Sequence, residues 1–219
     1  MTTHTAIICT RNRPQDIILC LQSLAQQQQP FDQIIVIDSS DIPLRKRQLF
    51  TDLFSPHQFA STTLVYEHTA AGLPYQRNCG IAKATGDIVY FFDDDATAAP
   101  DYLQQMAATF DAHPECDGGM AEIIDMPKQS EWSYWFYRFF GLHGRRSSGD
   151  FTVAGMTKQA YGAKTFCYVQ SLNGCAAYRR EVFKKHLFDA SLPGRAALED
   201  ADMSWRVSQD HTLFFTPAA

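Results

Sequence analysis

The chain has 219 residues, 45% of them hydrophobic and 20% charged, which suffices for one substantial core in a domain of enzyme size. A net charge of -5 argues against whole-surface attraction to nucleic acid or anionic lipid, and nucleic acid is set aside as a partner. Six cysteines without a C-x-x-C pair, an opening "MTTHTAIICT" without a basic-then-apolar signal pattern, and no run of 18 apolar residues point to reduced thiols in a cytoplasmic protein with no spanning helix.

"TAIICT" (5 to 10), "QIIVID" (33 to 38), "TTLVYEH" (62 to 68) and "DIVYFF" (87 to 92) are short β-branched or aromatic runs, each closed by polar or small residues. They predict strands buried on both faces. Between them lie three segments of helical character, from Pro14, from Leu44 and over "PYQRNCGIAKATG", the last with Gly86 as its expected C-terminal glycine. Strand alternating with helix predicts a mostly parallel sheet flanked by helices, and ligands of such sheets bind beyond the carboxyl ends of the strands. Thr10, Arg11, Asp38 and the triplet Asp93, Asp94 and Asp95 all follow apolar runs, so they converge on one crevice. Further on come a helix over "DYLQQMAATFDAH", a strand candidate "GGMAEIID", an aromatic stretch and an irregular polar one. The last apolar run, "TLFFTPAA", ends the sequence, and a strand followed directly by a terminus is unusual enough to raise truncation of the acceptor-side half.

In "IVYFFDDDAT" five apolar residues run into three adjacent carboxylates that repel one another. A bland account makes them turn residues before the next helix, where negative charge is favourable. The chemical account is a Mg²⁺ or Mn²⁺ site, because these ions take hard oxygen ligands and share their shell with phosphates. Asp38 and Arg77, expected at the same crevice, favour the second. A later cluster, "ALEDADMSWRV", holds Glu199, Asp200 and Asp202 with Arg206 four residues after Asp202. It is either a helix start with an ordinary ion pair or the source of a carboxylate that accepts a proton from an attacking hydroxyl.

Taken in order, "AIICTRNRP", "IIVIDSSD", "GLPYQRNCGIAKATGDIVYFFDDDA" and "LEDADMSWR" resemble the family 2 glycosyltransferases of the GT-A fold, over nearly the whole chain. That resemblance implies a Rossmann-like α/β domain over 1–219, with a nucleotide-binding half (1–115) and an acceptor-binding half (116–219). It implies inverting transfer of a sugar from a nucleotide diphosphate sugar to a hydroxyl, in synthesis of a bacterial-type surface glycan. Thr10, Arg11 and Asp38 would contact base and ribose, and Arg77 base or diphosphate. "DDD" stands at the family's D-x-D, so Asp93 would face ribose or metal, Asp94 the donor and Asp95 the metal, with Asp200 as general base. The family's further metal-binding histidine, after the last strand, has no counterpart before the sequence ends.

"SLNGCAAYRREVF" reads either as a small-residue floor under the donor sugar, with Arg179 and Arg180 meeting phosphate, or as a turn before a surface helix. His68, His113, His143 and His186 show no metal spacing. Two other functions fit parts of the sequence. "FFDDDAT" also matches the D-x-D-x-T of haloacid-dehalogenase-like phosphatases, with Asp93 as nucleophile and Asp95 as acid/base. A sugar-nucleotide-binding protein without turnover would keep the same crevice. Residues 131–146, "EWSYWFYRFFGLHGRR", carry seven aromatics in nine positions and two closing arginines. They predict a lid, core packing or dimer contact, or else peripheral contact with the inner membrane face and a lipid-linked acceptor.

Overall fold

A computed structural model describes residues 1–124, 149–151, 157, 159–192 and 198–219. Strand β1 (His4–Thr10) leads through helix α1 (Pro14–Ala25) to β2 (Gln33–Asp38). A 3₁₀ turn (Leu44–Lys46) and short α2 (Gln48–Leu53) replace the single helix expected from Leu44 and lead to β3 (Thr63–His68). Then come α3 (Leu73–Lys83), β4 (Ile88–Asp93), α4 (Tyr102–Ala112), β5 (Cys116–Ala121), β6 (Cys167–Val169), β7 (Ala177–Arg179), α5 (Glu199–Ser208) and β8 (Thr212–Thr216). The aromatic segment 131–146 lies outside the described residues.

One eight-stranded sheet has the order β3-β2-β1-β4-β7-β5-β8-β6. β1 pairs in parallel with β2 and β4, and β2 with β3. β7 runs antiparallel between β4 and β5, and β6 runs antiparallel to β8 at the far edge. Alternation of side chains divides the core into two layers. Ala6, Ile8, Ile34, Val36, Tyr90 and Phe92 pack with the buried face of α1 and with α4, whereas Ile7, Ile35, Ile37, Val89 and Phe91 face the other layer. β3 departs from the expectation of burial on both faces: its residues are half-buried or exposed, because it is an edge strand with a neighbour on one side only.

Gly86 is likewise not a helix cap, since α3 ends at Lys83 with Ala84 in extended conformation. Its role is close approach. A Cβ there would stand 2.7 Å from Thr5 Oγ1 and 2.8 Å from the Thr5 amide nitrogen, so only glycine lets the chain enter β4 beside β1. From β1 the chain moves outward to β2 and β3, and from β4 it moves to the other side. The strand order therefore reverses between β1 and β4, and a crevice opens at their carboxyl ends.

Candidate active site

That crevice has a volume of about 570 Å³, and its walls include Thr10, Arg11, Arg13, Asp93, Asp94 and Asp95. The three aspartates do not share one environment. Asp93 continues the β4 alternation onto the α3 layer, where Oδ1 accepts a hydrogen bond from Arg77 Nη2 at 3.2 Å. Asp94 turns to the α1 side and is buried. Its Oδ2 accepts from Thr10 Oγ1 at 2.7 Å, and its Oδ1 from Arg13 Nη1 at 2.9 Å. Burial pushes the Asp94 carboxyl up, and the bonds from Thr10 and Arg13 oppose that shift. Asp93 and Asp95 keep 47% and 59% of their side chains exposed, against 8% for Asp94.

Arg77 joins the two halves of the chain. Its side chain is 4% exposed, with Nη2 on Asp93 and Nη1 2.8 Å from Glu199 Oε1. It also donates to the Gly174 carbonyl at 3.3 Å and lies over the rings of Phe188 and Phe91, at 5.0 and 5.6 Å. Burial disfavours its charge, and Glu199 and Asp93 more than restore it. Gly174 is needed here because a Cβ would meet Asp93 Oδ2 at 2.8 Å and Arg77 Nη2 at 3.0 Å. Burial raises the thiols of Cys9 and Cys175, each to about 12, which leaves them protonated and without nucleophilic character at neutral pH.

Asp200, the next residue after Glu199, is half-buried at the start of α5. Its Oδ1 accepts the Ala201 amide at 2.8 Å. Burial raises its carboxyl above the ordinary carboxylate value, with the Ala201 amide and Arg77 opposing and Asp93 adding to the rise. Asp202 has the bland role: it pairs with Arg206 at 2.7 Å, four residues on, and both are part-exposed.

Thr10 is held in the cleft by its bond to Asp94, and Arg11 is a half-exposed wall residue 3.6 Å from Asp41. Asp38, the residue expected to contact base and ribose with them, ends β2. It is fully buried, its Oδ1 takes the Ser40 amide at 2.8 Å, and its Oδ2 takes the Leu44 amide and the Tyr66 hydroxyl, both at 2.7 Å. In this structure it shapes the loop behind the cleft. Arg179 does not face a phosphate site: it donates to the carbonyls of Cys116 and Phe110, at 2.9 and 3.1 Å.

Three residues absent from the expected site belong to it. Arg13 bridges Asp94 and Asp95, at 2.9 Å from each. Gln76 is buried and donates to the carbonyls of Thr10 and Ile37, at 3.1 and 2.9 Å, tying the ends of β1 and β2 together. Glu199 is the partner of Arg77. A signal was present for Arg13, the second arginine of "TRNR", and for Glu199, which directly precedes Asp200. Gln76 had none beyond adjacency to Arg77.

The donor set fits a hard divalent cation. Asp93 and Asp95 offer carboxylate oxygens at the open face, and among the described residues no hydrogen bond reaches Asp95 Oδ1. Arg13 and Arg77 meanwhile offset the repulsion within the triplet.

A mixed, mostly parallel sheet with an acid-lined cleft at its switch point is the architecture of the GT-A glycosyltransferases. The profile of the family described as Glycosyl transferase family 2 matches residues 5–187, and the chain belongs to that family of sugar-transferring enzymes. Over 93 residues it is 31% identical to a glucosyl-dolichyl phosphate glucuronosyltransferase of Haloferax volcanii, a stretch equal to 42% of this chain and 28% of that protein. Among solved structures, TarS 1-349 of S. aureus superposes with a TM-score of 0.65 at 18% identity, over 98% of this chain and 60% of that one. The mannosyltransferase PcManGT of Pyrobaculum calidifontis, in complex with GDP-Man and Mn²⁺, gives 0.67 at 20% identity, over 99% of this chain and 55% of that one. GalNAc-T7 with UDP, GalNAc and Mn²⁺ gives 0.72 at 17% identity, over 100% of this chain and 43% of that one. The chain thus spans less than two thirds of these relatives' lengths. Family membership, and the place of the triplet after the fourth strand, leave the phosphatase alternative without support.

Proposed function

We propose that this chain transfers a sugar, with inversion, from a nucleotide diphosphate sugar to a hydroxyl acceptor in glycan synthesis, with Asp200 as general base. One observation carries this reading: two acidic clusters more than a hundred residues apart meet on the single buried guanidinium of Arg77, one by Asp93 and the other by Glu199 beside Asp200. The donor would lie along the cleft, its base and ribose toward Thr10, Arg11 and the loop shaped by Asp38, its diphosphate toward Asp93, Asp94 and Asp95, with Arg77 fixing their positions from beneath. Mg²⁺ or Mn²⁺ held by Asp93 and Asp95 would supply positive charge to the diphosphate of the leaving group.

In the transfer, Asp200 takes the acceptor proton, the acceptor oxygen forms the bond to C1 of the sugar, and the bond from C1 to the phosphate oxygen breaks. The electron pair leaves with the nucleoside diphosphate. One displacement inverts the anomeric centre. A base raised by burial suits this task, because its affinity for the proton lies nearer neutral pH. Asp200→Asn keeps the shape without the basicity, so transfer should fall by roughly 10²-fold or more while donor affinity changes by no more than a few fold. Coupled-assay rates and calorimetric donor titration check it, and NMR of the product reads the anomer. Normal turnover in the variant, or retained configuration, would overturn the mechanism, and tight donor binding without transfer or hydrolysis in the wild type would favour a binding protein.

The acceptor is proposed to be a glycan or lipid-linked precursor presented at the inner membrane face, on the strength of the aromatic and arginine content of residues 131–146. Among the described residues no helix is long and apolar enough to cross a membrane. Wild type should co-sediment with anionic vesicles at low salt and Trp135→Ser/Phe139→Ser should not; wild type left in the supernatant would refute the contact.

A further inference from the structure

At the opposite end of the sheet, where β5 and β8 begin, the chain gathers a second group of ligating side chains. His186, Asp210 and His211 hold one ligand atom each within 4.8 Å of one another. His186 Nε2 is 3.0 Å from Asp210 Oδ1, and His211 Nε2 is 3.9 Å from that same oxygen. Around a tetrahedral Zn²⁺ with bonds near 2.0 to 2.1 Å, ligand atoms stand about 3.4 Å apart. These two distances bracket that value.

The surroundings supply what such a site needs beyond its ligands. His211 turns its other nitrogen, Nδ1, to Asp117 Oδ2 at 2.8 Å. A carboxylate on the far nitrogen of a ligating histidine fixes its tautomer and orients the ring, which leaves Nε2 as the donor atom facing Asp210 and His186. Asp117 reaches that position because it is the extra residue of a β-bulge: Cys116 opposes Thr212 and Gly118 opposes Leu213, with Asp117 between them. Bulges serve to re-aim a side chain in this way. His186 is buried, whereas Asp210 is at the surface, so an ion has an entry path. Lys185 Nζ also contacts Asp210. Its side chain is 68% exposed and can withdraw into solvent when a cation arrives.

We propose that His186, Asp210 and His211 form a second metal site, selective for a borderline transition cation of the Zn²⁺ class over the hard ions suited to the Asp93 and Asp95 cleft. Two imidazoles and one carboxylate are the donor set such ions prefer, whereas Mg²⁺ takes oxygen ligands. The site would act as a clip. Asp210 follows α5, whose first turn carries Glu199 and Asp200, and His186 lies two residues before Phe188, which packs on Arg77. Tying the two segments together would steady the base and the arginine from behind.

The test uses the metal-stripped chain and Co²⁺ or Zn²⁺ alone. Titration with Co²⁺ should give the visible absorption of a nitrogen-ligated ion, persisting in Asp95→Asn and abolished in His211→Ala. Zn²⁺ should raise Tm in wild type and in Asp95→Asn but not in His211→Ala. Asp117→Asn should weaken Zn²⁺ binding by roughly 10- to 100-fold if it orients the ring. Lys185→Ala should tighten it by roughly fivefold, the effect of one screened unit charge near 4 Å in water. His186→Ala removes a buried ring and is read alongside the more accessible His211→Ala. Equal Zn²⁺ affinity in wild type and His211→Ala, or a Co²⁺ signal that vanishes in Asp95→Asn, would overturn the proposal.

Discussion

The two acidic clusters of the cleft are built to opposite ends from similar parts. Each has one buried acid paired with an arginine, Asp94 with Arg13 and Glu199 with Arg77, and that pair anchors its neighbours. At the end of β4 the anchor is the middle residue, and the flanking Asp93 and Asp95 stay half-exposed, open to a hydrated cation. At the start of α5 the anchor comes first, and helical rotation of about 100° per residue separates the rest. Asp200 is left half-buried near Arg77 and Asp93, while Asp202 goes outward to Arg206. On the proposed reading, the acids offered to a metal are those left facing solvent, and the acid offered to a proton is one whose carboxyl burial raises. The same residue type thus acquires two roles from its surroundings.

The sharpest way to break that comparison is to remove the guanidinium on which both clusters meet. Arg77→Met leaves Glu199 buried without its partner, and the loss of one member of a buried pair costs about 3–5 kcal/mol. Arg77→Met/Glu199→Met removes both charges and should recover most of that stability, though not the activity. Chemical denaturation of the four corners of the cycle reads the coupling. Equal loss in single and double variants would mean that Arg77 acts by packing on Phe91 and Phe188 alone. Asp202→Asn supplies the contrast: its pair with Arg206 is part-exposed, and such helix pairs contribute only about 0.3–0.5 kcal/mol.

Much of this was legible in the sequence because strand periodicity and the acids that end it are local signals. β1, β2 and β4 could be read from runs such as "QIIVID", and the placing of Thr10 and Asp93 to Asp95 at one crevice followed from where those runs stop. Pairings between distant segments were not legible. Nothing near Arg77 announces that Glu199 will meet it, and nothing in the separation of His186 from His211 resembles a ligand motif, since both depend on where β5, β8 and α5 lie in three dimensions. Asp38 shows the converse limit: its place at a strand end is legible, whereas the bonds from its oxygens to Ser40, Leu44 and Tyr66 are not.

An intermediate effect tests the wet cluster by itself. Asp95→Asn removes half of the paired carboxylates but leaves Arg77 and Asp200 untouched. Calorimetric titration of a nucleoside diphosphate with Mn²⁺ should show affinity reduced by roughly tenfold or more, about 1.4 kcal/mol. With EDTA present the wild type should fall to the level of the variant. Equal wild-type affinity with and without EDTA would remove metal from the donor site.

The smallest effect concerns the dry cluster and appears as stability. Burial raises Asp200 above its ordinary value of 3.8, with the Ala201 amide and Arg77 opposing. Burial likewise raises Glu199 above 4.5, against the pull of Arg77. A carboxyl raised on folding holds its proton more tightly in the native chain than in the unfolded one. Its stabilising contribution is complete below the unfolded value and is lost as pH rises through the folded value. Above the folded value, the charge on Asp200 is therefore a net burden on the fold. Asp200→Asn removes that charge, while its side-chain oxygen can still accept the Ala201 amide. The variant should melt a few degrees above wild type at pH 7, at about 2–4 °C per kcal/mol for a chain of this size. That margin should shrink toward zero as pH falls below the unfolded value of 3.8, where wild-type Asp200 becomes protonated in both states. Scanning calorimetry at the two pH values reads it, and a variant that melts lower at pH 7 would show that Asp200 is held by favourable charge interactions rather than kept dry. A gain in stability from the substitution, together with the expected fall in transfer, would identify Asp200 as a residue kept for chemistry against the interest of the fold.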